Sequence, residues 1–118
     1  MNEPLPPMAC DLTKLSDAER HRLQAVVAEL FSVAGEVRVL ADGYELGYAN
    51  ASPETLAKMA EFIAYDRLCC AFLTHGMVSE PFGGPTWLRI TGGEGAKELL
   101  ASDLKRHVSA GVVVTGNL

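Results

Sequence analysis

The period of the apolar residues switches four times along this chain, and that alternation leaves few folds open to it. Leu23, Val26, Val27, Leu30, Phe31 and Ala34 recur at helical spacing, with Arg20, Arg22 and Glu29 mostly on the other side. From Glu36 to Tyr48 the period drops to two: Val37 and Val39 alternate with Glu36 and Arg38, then Tyr44, Leu46 and Tyr48 with Glu45 and Gly47. Helical spacing returns in Leu56, Met59, Ala60, Phe62 and Ile63, and runs on into Cys69, Cys70 and Leu73. Residues 75–80 and 86–91 read as a second hairpin, and Ala96, Leu99, Leu100 and Leu104 mark a third helix. The order α-ββ-α-ββ-α predicts an α+β two-layer sandwich. Three helices would cover one face of a four-stranded, mostly antiparallel sheet, whose strand order is not legible.

The punctuation agrees with the periods. Ser16-Asp17-Ala18-Glu19 is a capping box, in which the Ser oxygen takes the Glu19 amide and the Glu reaches back. Ser52-Pro53-Glu54 places an N-cap, a first-turn proline and an acid where the helix dipole favours one. Asp42-Gly43 suits a tight turn with positive φ. Helices are therefore expected near 16–34, 53–72 and 94–107. The predicted core is Leu23, Val27, Leu30, Val37, Val39, Leu46, Met59, Ile63, Leu88, Ile90, Leu99 and Leu100. Pro4, Pro6 and Pro7 make residues 1–11 an irregular lead-in. The tail at 109–118 contains Val112-Val113-Val114 and reads as a possible edge strand with no obvious partner in its own chain, which suggests pairing within a homodimer.

A length of 118 residues fits a single domain that buries roughly two thirds of its unfolded surface. Net charge is −5 and no basic run occurs, which argues against nucleic acid as a partner. No apolar run approaches the roughly 20 residues that span a bilayer, and the first ten residues lack the pattern of a signal peptide. The chain is expected to be cytoplasmic. Three cysteines is an odd number, so free thiols are expected rather than a disulfide framework.

The chemistry concentrates in Asp66-Arg67-Leu68-Cys69-Cys70 at the end of the second helix. Asp66 lies one turn behind both sulfurs. Joined by Cys10 from the lead-in, the two thiols form a candidate site for a soft ion such as Zn or Cu, with Asp66 and His75 as further candidate ligands. A carboxylate one turn away also raises a thiol pKa, which disfavours a reactive cysteine. The alternatives are plain: the cysteines are inert core residues of a structural or interaction module, and Asp66 pairs with Arg67 or with solvent. No nucleophile elbow, paired-carboxylate motif or H-E-x-x-H occurs, so no catalytic residue is assigned and an enzyme is the less favoured reading. Gly92-Gly93-Glu94-Gly95 sits between a strand and a helix but matches no phosphate-loop pattern.

Asp66-Arg67-Leu68-Cys69-Cys70-Ala71-Phe72 resembles the acid-Arg-x-Cys-Cys-Pro-Phe stretch of a group of small bacterial proteins of unknown function. Ala9-Cys10 and Trp87-Leu88-Arg89-Ile90-Thr91-Gly92 match two further stretches of that group, so the likeness spans about residues 9–104. It implies that Cys10, Cys69 and Cys70 belong together. Ala71 stands where that group has proline, which would let the helix run on past the thiols.

Overall fold

The computed structural model describes residues 10–93 and 95–116. The prolines of the lead-in and Glu94 lie outside them. A 3-10 turn, Leu12–Lys14, precedes helix α1 (Asp17–Val33). Strands β1 (Glu36–Leu40) and β2 (Gly43–Tyr48) form the first hairpin. Helix α2 (Pro53–Cys69) follows, then strands β3 (Thr74–Ser79) and β4 (Thr86–Thr91), helix α3 (Ala96–His107) and strand β5 (Val113–Thr115). The class is α+β, as the periods require. The sheet has five strands, in the order β3-β4-β2-β1-β5.

The fifth strand corrects one expectation. The apolar tail finds a partner in its own chain: β5 pairs in parallel with β1, with Val114 opposite Val37. The other neighbouring strands pair antiparallel. β2 and β4 lie side by side at the centre, so the two hairpins join through Leu46 opposite Leu88 and Tyr44 opposite Ile90.

The capping box forms as the sequence dictates. The Ser16 Oγ accepts from the Glu19 amide at 3.1 Å, and the Glu19 carboxylate accepts from the Ser16 amide at 2.8 Å. The first hairpin turns one residue earlier than expected. Leu40 pairs with Gly43, so Ala41 and Asp42 form the loop and Gly43 is not at positive φ. Gly43 is required for another reason: a Cβ there would stand 2.8 Å from the Thr91 Cα of the neighbouring strand.

The helices cover one face of the sheet. Val37, Tyr44, Leu46, Leu88 and Ile90 from the strands are buried with Val26, Leu30, Met59, Phe62 and Leu104 from the helices. The Tyr48 hydroxyl donates to the Leu30 carbonyl at 2.8 Å, and burial pushes its pKa far up. Across the helix layer, Arg22 meets Glu61 through two bonds of 2.7 Å, tying α1 to α2. Leu99 departs from the expected core. The buried stripe of α3 is Ala96, Leu100 and Leu104, and Leu99 lies beside it at 45% exposure. Val27, Val39 and Ile63 are half-buried at the margin of the core.

The split between centre and margin is measurable. Leu30 is 1% exposed, so Leu30→Ala is expected to cost ~2–5 kcal/mol in denaturant unfolding. Ile63→Ala is expected to cost less, because water already reaches part of the side chain. Equal losses at both positions would show that the core extends through Ile63.

Candidate functional site

Helix α2 ends where the thiols begin, earlier than the expected boundary at residue 72. Cys69 is its last residue, and Cys70 leaves helical geometry at φ −110° and ψ 65°. The Cys70 amide still donates to the Asp66 carbonyl at 2.7 Å, and the Leu73 amide donates back to the Cys70 carbonyl at 3.1 Å. Ala71 therefore does not carry the helix onward. The turn that replaces it sends the chain into β3.

That end of the helix receives the start of the chain. The Asp11 amide donates to the Cys69 carbonyl at 2.7 Å, which satisfies one of the carbonyls a helix C-terminus leaves open. The Asp11 side chain in turn caps the 3-10 turn, accepting from the Thr13 amide at 3.1 Å. Cys10 is thereby placed against Cys70, with Cα atoms 4.3 Å apart, and the two form a disulfide across a sequence separation of 60. This corrects the expectation that every thiol is free. An odd number of cysteines leaves one over, and here it is Cys69, which is buried.

Cys69 Sγ lies 3.7 Å from Cys70 Sγ and 3.6 Å from the Asp66 carbonyl oxygen. Ligand atoms of Asp66, Cys69 and Cys70 all fall within 4.8 Å of one another. Burial pushes the Cys69 thiol up, and the Asp66 carboxylate adds to the shift by opposing a second negative charge. The neighbouring-acid effect read from the sequence is thus present, but desolvation is the larger cause.

Asp66 does not pair with Arg67. It is buried, and its Oδ2 lies 2.6 Å from His75 Nε2. The His75 side chain is 3% exposed and stands edge-on to Phe62 with centroids 5.5 Å apart. His75 therefore reaches the sulfurs through Asp66: it orients a carboxylate rather than joining the close cluster. The turn Cys70–Leu73 brings it there by folding the first residues of β3 back along the last turn of α2.

The cluster opens on a cleft of about 480 Å³. Leu12, Leu23 and Val27 line it from the 3-10 turn and α1, and Asp103, Arg106 and His107 from α3. His107 is the last residue of α3. It is half-buried and stands edge-on to Phe31 at 6.4 Å. Only its place at the end of α3, facing the same core as α1, brings it to this cleft. Compared with protein-family models, curated proteins and solved structures, the chain matches none.

Two consequences are testable. A cross-link over 60 residues removes chain entropy from the unfolded state, so reducing it is expected to lower stability by about 4 kcal/mol. Urea unfolding with and without a phosphine reductant measures this, and unchanged midpoints would mean the bond carries no stability. A thiol held protonated alkylates slowly, because the thiolate is the nucleophile. The iodoacetamide rate–pH profile of native Cys69 is therefore expected to rise at higher pH than that of the unfolded chain; coincident profiles would refute the shift.

Proposed function

We propose that this protein, in its reduced form, binds a soft metal ion, Zn(II) or Cu(I), through the thiolates of Cys10, Cys69 and Cys70. The observation that carries the reading is the meeting of all three sulfurs at one helix end. Cys70 is bonded to Cys10 and lies 3.7 Å from Cys69 Sγ. The disulfide holds two of the three sulfurs, so a reductant must open it first. Reduction yields two thiols in contact with a third, and sulfur ligands at ~2.3 Å from one ion suit either metal. Asp66 would ligate or balance charge, and His75 would fix its carboxylate, as outer partners fix metal ligands elsewhere. This reading places the chain in a reducing compartment, the cytoplasm. It also fits the grouping of the same three cysteines in the bacterial proteins that the chain resembles.

The disulfide itself favours a second reading, a structural or interaction module in which Cys10–Cys70 is a staple and Cys69 an inert core residue. A homodimer belongs to this reading, with a second copy adding at β3 or β5, the two exposed sheet edges.

One titration separates the two. Protein reduced with a phosphine is titrated with Zn(II) and Cu(I) against a competing chelator, then again as Cys10→Ser, Cys69→Ser and Cys70→Ser. The metal reading expects near-stoichiometric uptake that weakens as pH falls, because protons compete for the thiolates, and that is lost in each variant. No uptake by the reduced wild-type chain would overturn it.

A further inference from the structure

A bare soft ion needs only its donors, yet here the donors form one wall of a cleft that has an apolar side as well as a polar one, the latter made by Gln24, Asp103, Arg106 and His107. The cleft's volume of about 480 Å³ falls in the roughly 300–1,000 Å³ range of small-molecule sites. Leu12, Leu23 and Val27 line its apolar side, and Cys10, Cys69 and Cys70 face the same space. We infer that the ligand is a soft centre carrying one organic group, of the class of monosubstituted trivalent arsenicals, with the thiolates taking the arsenic and the cleft taking the organic group. The inference rests on the soft-ion reading above and narrows its ligand.

The chemistry balances without a change in oxidation state at arsenic. A phosphine and one water convert the Cys10–Cys70 disulfide to two thiols and a phosphine oxide. An arsenical bearing one phenyl group and two hydroxyls then forms two As–S bonds, to Cys10 and Cys70. Each bond takes one thiol, loses one hydroxyl and releases one water. The third substituent, the phenyl ring, remains on arsenic. Because Cys10 and Cys70 are in bonding contact before reduction, they stand close enough for one arsenic to bridge them. The third substituent then has room in the cleft that Cys10 and Cys70 line together with Leu12, Leu23 and Val27.

The test uses the full reduced chain, phenylarsine oxide, arsenite and Zn(II). Phenylarsine oxide and arsenite differ in their intrinsic preference for dithiols, so both are referred to dithiothreitol in solution. The cleft is expected to raise the protein's preference for the phenyl compound at least tenfold above that reference. Leu12 is 46% exposed, so Leu12→Asn leaves the core intact while placing a neutral polar group on the cleft wall. It is expected to return the preference to the reference value and leave Zn(II) affinity unchanged. A preference equal to that of dithiothreitol, with inorganic ions still bound, overturns this inference alone. A Leu12→Asn variant that loses Zn(II) and phenylarsine oxide in equal measure overturns it too. No uptake of any of the three probes overturns this inference together with the Zn(II) form of the soft-ion reading.

Discussion

The closure of helix α2 at its C-terminal end is the constraint on which the rest of this structure depends. A helix leaves its last carbonyls without partners, and this one stops against the core, where water cannot serve all of them. The Asp11 amide takes the Cys69 carbonyl, and that bond brings the start of the chain across to the helix. The disulfide then fixes the same approach covalently. The turn after Cys70 completes the arrangement by setting the direction of β3, and with it the place of His75. The three sulfurs, the acid and the imidazole are thus by-products of ending one helix in one place.

Asp66 shows how such an end tolerates a charge. A carboxylate buried without partners is costly, and here a 2.6 Å contact with His75 offsets that cost. The same carboxylate sits beside Cys69 and adds to the burial that already opposes its ionisation, so the leftover thiol is kept quiet first by desolvation and then by the acid. A cation arriving among the sulfurs would reverse that sign, since the acid that repels a thiolate attracts a metal.

Local signals were legible and distant ones were not. The caps at Ser16 and Ser52, the periods and the three helices read directly, because each depends on residues within one or two turns. The end of α2 misled: Ala71 is a good helix former, and the bond that stops the helix comes from Asp11, far away in sequence. Gly43 was read as a turn residue but opens β2, and what demands a glycine there is crowding from β4 rather than the turn. Leu99 fits the helical period as well as Leu100 does, and only the packing of α3 on the core decides between them. The pairing of Asp66 with His75 had no signal at all, because nine residues of helix, turn and strand must first fold back. Counting cysteines pointed to free thiols throughout, and nothing local could show that Cys10 and Cys70 would bond across 60 residues and leave Cys69 over.

Trp87 gives the molecule a separate voice. It is the chain's one tryptophan, and it lies on the face of the sheet that the helices leave bare. Arg38 covers its ring at 3.9 Å from the centroid. Gly47 leaves the space beneath, since a Cβ there would press on the indole. The sulfurs lie in the other layer. The indole's emission therefore follows the integrity of the sheet and is shielded from what happens among the thiols, so that unfolding and thiol chemistry give separate optical signals in the same sample.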